Sequence, residues 1–275
     1  MPELPEVHTF ITQIKPFVLS KTIKSFTVTK EGLRLIAPID PKLFSKEIIG
    51  KQITDITRHG KFIIFHLNDG SRIVAHLRMS GRFIVTDEPF EHKHNRLQLE
   101  FEEGGIFNFI DIRRFATFEY INPGDNHKGL SRLGPDALAD SFDSKYLSDK
   151  LKNRKKNIYS SLMDQSVVAG IGNIYANEIL HRALLSPTLP SDQVPLITFP
   201  LIVDQTKEVL NMAITHKGTT LIDKSYKDMH GGYGEFNVKL KVYAREDEPC
   251  FSCNAPIKKI RIQNRSVYYC PNCQA

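Results

Sequence analysis

The chain has 275 residues, 41% of them hydrophobic, and a formal charge of +6; that is enough apolar material for two domain cores. No run approaches the roughly 18 apolar residues that a bilayer span needs, and no basic stretch followed by an apolar one marks a secretory leader, so a soluble, cytoplasmic protein is expected. The cationic excess suits a polyanionic partner without requiring one.

The chain opens "MPELPEVHTF", and from Pro5 the apolar positions Val7, Ile11 and Ile14 step at helical spacing, with Pro5 in the first turn, where its missing N–H costs nothing. Pro16 cannot donate to the carbonyl of Thr12, which predicts a kink or an end near that residue. From about residue 21 to 120 the pattern changes to short runs rich in Ile, Val, Phe and Thr. "KFIIFHL" and "SRIVAHL" flank "NDG", a hairpin signal. "RLQLEF", "IFNFID" and "FATFEYI" continue in that style, and together they predict an antiparallel sandwich or flattened barrel. After "LGPDAL" the texture turns helical, through "SKYLSDKLKNRKKNIYSSLMDQ", "IYANEILHRALL" and a stretch over about 198–215. The domain boundary is expected near 130–145. A polar segment, "GTTLIDKSYKDMHGGYGEF", leads to the C-terminus.

All four cysteines lie in that terminus. Cys250, Cys253, Cys270 and Cys273 form C-x2-C-x16-C-x2-C, the spacing of a tetrahedral zinc shell with a hairpin between its two pairs. Two disulfides or four free thiols are the competing readings; an intracellular chain disfavours the first and the regular spacing the second. Four thiolates leave no open coordination position, so this metal is structural. "APIKKIRI" and "SVYYC" supply the strands, with "QNR" at the turn, and the hairpin carries Lys258, Lys259, Arg261 and Arg265 for phosphate contact. Upstream, "AGIGNIYANE" places Gly170 and Gly172 in a tight turn before a helix, with Asn173 as cap or phosphate donor. The run "KNRKKN", read as part of the preceding helix, adds charge beside it. Together they suggest sequence-independent attachment to a nucleic-acid backbone.

These motifs in order ("PELPEV", "HGK", "HLRMSG", "DIRRF", "LGPDAL", "DQSVVAGIGNIYANE" and "REDEPCFSC…QNRSVYYCPNCQ") resemble the formamidopyrimidine-DNA glycosylase family over essentially the whole chain. The resemblance implies an α+β fold. An N-terminal helix and antiparallel β-sandwich form a catalytic domain over 1–130. A helix-two-turn-helix domain follows over 131–238, and a zinc-bound hairpin over 239–275. It implies that loss of Met1 frees the Pro2 nitrogen to attack the sugar C1′ and form an iminium ion. Glu3 would then handle protons at the sugar, with Glu6 structural or orienting. Lys61 would contact the target nucleotide and assist β-elimination, and Arg265 would grip phosphates and serve δ-elimination. His94, Arg113, Arg154 and Asn173 match DNA-contact positions. Met79, Arg113 and Phe115 match the wedge that fills the gap left by a flipped base, and 219–233 the loop that covers that base. Without the resemblance, Lys61 reads as a surface turn lysine and Met79 and Phe115 as core.

The sequence departs from the family pattern at His8, Arg96, Ala116, Tyr159, Ile222, Lys224, Asn254 and Asn264. None removes a catalytic group, and the loop changes bear on base preference. The implied protein is a monomeric, bacterial, cytoplasmic enzyme of base excision repair that holds one structural Zn2+. It would act as a bifunctional glycosylase and AP lyase on damaged double-stranded DNA, excising oxidised purines such as 8-oxoguanine and formamidopyrimidines. Two alternatives stay open. The endonuclease VIII type takes oxidised pyrimidines but usually has glycine at the position of Leu4. The other is a non-catalytic zinc-finger DNA-binding protein.

Overall fold

In the computed structural model, which describes residues 2–221 and 226–274, the chain opens with helix α1, Leu4–Val18. Met1 and the loop positions Ile222 and Lys224 lie outside the described residues. The helix buries Val7, Phe10, Ile14 and Val18 along one face. It runs two residues past Pro16, and the N–H of Leu19 donates to the carbonyl of Lys15 at 3.0 Å. Thr12, whose carbonyl the proline leaves without its helical donor, is exposed, so water can supply the missing bond over the last turn, and the helix ends at Val18, close to the proline as the sequence predicts.

Strand β1 (Ile23–Val28) and helices α2 (Leu33–Ile36) and α3 (Pro41–Ile48) follow. Next come β2 (Ile53–His59), β3 (Phe62–Leu67), β4 (Arg72–His76) and β5 (Gly81–Thr86). The series ends with β6 (Asn95–Phe101), β7 (Ile106–Asp111) and β8 (Thr117–Ile121). They form two four-stranded sheets, ordered β1-β6-β7-β5 and β2-β3-β4-β8, antiparallel throughout. β3 and β4 pair across the "NDG" turn as the sequence predicts. Phe65, Phe83, Phe107, Phe109 and Phe118 from both sheets share one core with the apolar face of α1. Each such ring removed from water contributes about 1.5–3 kcal/mol.

The chain divides into two units, Met1–Ser131 with His216–Glu235, and Arg132–Thr215 with Phe236–Ala275. Residues 216–235 therefore pack with the sandwich and not with the helices, unlike the 131–238 domain read from the sequence. The cause is a set of polar bonds to α1. Glu6 accepts the N–H of Glu3 on Oε2 (2.7 Å) and the N–H of Thr219 on Oε1 (2.8 Å). Gln13 donates to Asp228 (2.8 Å) and accepts from the N–H of Met229 (3.1 Å). Gly218 has φ +83°, and a Cβ there would lie 2.6 Å from Glu6 Oε1.

The second unit contains α4 (Ser144–Leu151), α5 (Ile158–Met163), α6 (Asn173–Arg182) and α7 (Phe199–Thr215). It also holds the hairpin of β9 (Lys258–Ile262) and β10 (Arg265–Tyr269), which clusters with the helices instead of standing apart as a third domain. The basic run 152–157 is the linker between α4 and α5, not part of a helix. Asn157 caps α5, its side chain accepting the N–H of Ser160 at 2.8 Å, and a residue in that role must have extended backbone. The hairpin turns on Gln263 and Asn264, both left-handed (φ 48° and 61°), the geometry whose twist matches the strands.

Glu6→Gln leaves only one carbonyl oxygen for two buried N–H donors. It should lower the unfolding free energy in urea by about 1–3 kcal/mol; an unchanged midpoint would contradict this role for the carboxylate.

Candidate active site and metal centre

α1 starts where it does because Glu3 has extended backbone (φ −102°, ψ −169°) and Pro5 occupies the first turn. That start leaves Pro2 and Glu3 buried at the helix N-terminus, Glu3 only 3% exposed. Pro2 lines a cavity of about 380 Å³ with Phe10, Met79, Ser80, Gly81, Arg82, His92, His94, Ile110, Ile112, Tyr226 and Lys227. The cavity thus brings together three residues singled out in the sequence: Pro2, Met79 and His94. Apolar side chains and a group of cationic or imidazole side chains share its wall, a lining suited to a flat, partly polar ligand attached to an anion. A proline nitrogen there can act as a nucleophile only if it is the chain terminus, because an amide nitrogen has no free lone pair.

The loops carrying Met79 and Arg113–Phe115 are fixed by one side chain. Asp111 is fully buried. Its Oδ1 accepts from Ser80 Oγ (2.5 Å) and the N–H of Arg113 (3.2 Å), and its Oδ2 from the N–H of Ala116 (3.0 Å). Ser80 Oγ in turn accepts the N–H of Arg113 at 2.9 Å. Each loop contains a left-handed non-glycine residue, Arg78 (φ 52°) and Arg114 (φ 58°). Such conformations cost about 1–3 kcal/mol and persist when surrounding bonds over-determine them. Gly81 closes the first loop: its N–H donates to the Leu77 carbonyl at 2.9 Å, and a Cβ would meet that oxygen at 2.7 Å. Phe115 is 46% exposed, with the guanidinium of Arg113 5.2 Å from its ring centre, so it is not core packing.

Lys61 follows Gly60 (φ 58°) in the two-residue turn from β2 to β3. It is 6% exposed, against the surface lysine that the bare turn pattern suggests. The buried imidazole of His76 is held down to about 3 by burial and by the charges of Arg78 and Lys61. His94 has its Nδ1 3.1 Å from Arg96 Nη2. A guanidinium can only donate, so that nitrogen accepts and Nε2 carries the proton. Arg96 also donates through Nε to the Asp111 carbonyl at 2.8 Å, which gives this departure from the family pattern a positioning role.

In the second unit, Gly172 and not Asn173 is the N-cap of α6. Asn173 is the first helical residue. Its Oδ1 accepts from the hydroxyl of buried Tyr159 (2.6 Å), so Tyr159 orients this amide. Gln165 fixes the turn before it, accepting from the N–H of Gly170 (3.0 Å) and donating to the Ile171 carbonyl (2.8 Å). Arg154 is ion-paired with Asp164. Arg265 is exposed at the start of β10.

The Sγ atoms of Cys250, Cys253, Cys270 and Cys273 all lie within 4.8 Å of one another, with Cys250–Cys273 at 3.9 Å and Cys253–Cys270 at 3.4 Å. Tetrahedral zinc–thiolate bonds of about 2.3 Å put sulfurs about 3.8 Å apart, so the four cysteines fit such an ion. Hydrogen bonding to Cys253 raises the Cys273 thiol and burial raises Cys270, whereas the backbone N–H of Ala255 lowers Cys253. Asp111, Tyr226, His181 and Glu178 were not singled out from the sequence. Asp111 stands first in "DIRRF", Glu178 last in "DQSVVAGIGNIYANE" and Tyr226 within 219–233, whereas His181 lies outside these motifs.

The profile of the Formamidopyrimidine-DNA glycosylase N-terminal domain matches residues 1–118, and that of the Formamidopyrimidine-DNA glycosylase H2TH domain residues 133–225. A formamidopyrimidine-DNA glycosylase of Mycoplasma genitalium is 37% identical over 277 residues, spanning all of this chain and 96% of the relative. One of Vibrio parahaemolyticus is 36% identical over the full length of both. Among solved structures, the MutM (Fpg) protein of Thermus thermophilus superposes with a TM-score of 0.88 at 34% identity, covering 99% of this chain and 98% of the other. The Lactococcus lactis Fpg, in complex with DNA containing N7-benzyl-Fapy-dG, gives 0.89 at 32% identity, covering 99% of both.

Asp111→Ala should speed amide hydrogen exchange at Arg113 and Ala116 by about tenfold, the equivalent of one lost bond, measured against the unaffected amides of β7. His76 yields a pH prediction. Its folded value (about 3) is below the ordinary 6.5, so the unfolded chain takes up the proton first as pH falls. Stability from the neutral ring is complete above about 6.5 and is lost between there and about 3. His76→Gln should therefore flatten the acid-side decline of the urea midpoint in that window, and an unchanged slope would count against a buried neutral ring.

Proposed function

The chain belongs to the formamidopyrimidine-DNA glycosylase family, and from that premise we propose that it excises oxidised purines from double-stranded DNA and cleaves the resulting abasic site. The observation that carries this reading is the position of Pro2 on the wall of a ligand-sized cavity, beside Met79 and His94. With Met1 removed, the Pro2 nitrogen attacks C1′ of the damaged nucleotide. An N–C1′ bond forms, the glycosidic bond breaks, and the base leaves with its electron pair and takes up the proton that the amine sheds. Opening of the sugar ring gives an iminium ion. Glu3, buried at the start of α1, enters as the carboxylic acid, gives its own proton to the ring oxygen and is left as carboxylate.

Loss of a C2′ proton then expels the 3′ phosphate (β-elimination), and a second elimination expels the 5′ phosphate. Lys61 assists the first and Arg265 the second. Arg113 and Phe115, exposed and in contact, with Met79, enter the stack where the base has left, a cation for the orphaned partner base and a ring for stacking. His94, Arg154 and Asn173 hold backbone phosphates; Arg154 exchanges Asp164 for phosphate on binding. One Zn2+ on Cys250, Cys253, Cys270 and Cys273 keeps the Arg265 hairpin rigid and takes no part in bond breaking. The enzyme acts as a monomer.

Borohydride reduction in the presence of duplex containing 8-oxoguanine should trap a covalent complex whose sugar adduct maps to Pro2 by mass spectrometry. Pro2→Gly should abolish or strongly reduce it. Tight binding of abasic duplex with no trapped species would point to a DNA-binding protein without catalysis. Faster release of an oxidised pyrimidine than of 8-oxoguanine from matched duplexes would reassign the substrate class.

A further inference from the structure

We infer that His181 is an outer-sphere residue of the metal centre, its Nε2–H donating to the Cys250 thiolate and slowing loss of the ion. The inference rests on the reading that the four cysteines hold zinc. His181 Nε2 lies 3.7 Å from Cys250 Sγ, with the histidine 5% exposed and the cysteine fully buried. A metal-bound thiolate has no proton to give, so the imidazole must be the donor at this contact. Four thiolates on one divalent ion carry a net charge of −2, and a charge enclosed in protein needs hydrogen-bond donors around it. Within the cysteine module the N–H of Ser252 approaches Cys250 Sγ (3.5 Å) and the N–H of Cys273 approaches Cys270 Sγ (3.4 Å). His181 brings a side-chain donor from outside the module.

The helix aims that donor. Asn177, Glu178 and His181 lie on adjoining positions of α6. The Asn177 side-chain oxygen accepts the N–H of Tyr268 in β10 at 2.5 Å. The fully buried Glu178 carboxylate accepts the N–H groups of Lys241, Val242 and Tyr243 at 2.8, 3.0 and 2.9 Å. One helix face therefore grips the hairpin strand, the peptide leading into the module, and a metal ligand itself. With backbone bonds fixing the module on two sides, the imidazole is positioned against sulfur. Donation draws electron density from Sγ and makes it a poorer target for protons and electrophiles.

The test uses the full-length zinc-loaded protein with His181→Phe, which keeps a ring and removes the donor, and His181→Gln, which restores an N–H. Zinc release to a chromogenic chelator should be about tenfold faster in the phenylalanine variant and near the parent rate in the glutamine variant. In the cobalt-substituted protein the thiolate charge-transfer band should move to lower energy in His181→Phe only. Equal release rates and unshifted bands in all three proteins would overturn the inference. So would equally fast release from both variants, which would assign the effect to packing. A parent protein that purifies without stoichiometric metal would instead sink the zinc reading on which this rests.

Discussion

The first unit depends on a buried carboxylate with two backbone partners. Glu6 receives the N–H of Glu3 through one oxygen and the N–H of Thr219 through the other. The first bond fixes where α1 begins, and so where Pro2 and Glu3 stand. The second brings the segment that carries Tyr226 and Lys227 to the same place, and both residues line the cavity with Pro2. A neutral amide of the same shape could serve only one of these donors, because its nitrogen has no lone pair to offer. The family reading of Glu6 as an orienting group thus has a physical form: the carboxylate holds together two stretches of chain between which a ligand can fit.

Asp111 does for the exposed loops what Glu6 does for the cavity. Its side chain holds Ser80, Arg113 and Ala116 at once, so the loop with Met79 and the loop with Phe115 move together or not at all. Both contain a left-handed arginine, a conformation that local preference opposes. On the proposed reading these loops form a wedge that enters a base stack, which has to keep its shape under load, and the buried Asp111 carboxylate ties both to the sheet edge.

Much of the architecture was legible in the sequence because it rests on local pattern. Period-two runs gave β3, β4, β6 and β7, the 3.6-residue period gave α1, helical texture gave α7, and cysteine spacing gave the four-cysteine cluster. The failures share another cause. The run 152–157 reads as part of the helical stretch around it, but the Asn157 side chain caps α5 and leaves the run a linker. Lys61 looked like a surface residue because burial depends on what the rest of the chain lays over a turn. Residues 216–235 went to the wrong unit because the bond that decides their place joins positions 213 residues apart, and no window of sequence contains both. Family motifs marked Pro2, Met79 and His94 as functional, while Asp111, Tyr226 and His181, which position or enclose, act through contacts that appear only after folding.

That long separation between Glu6 and Thr219 also sets an order of events. A chain emerging from the ribosome exposes its first residues early, while the amide that will lock them is still unsynthesised. Loops of this length close late, after local helices and hairpins have formed. The bonds from Glu6 and Gln13 to Thr219, Asp228 and Met229 therefore form only after most of the chain has been made.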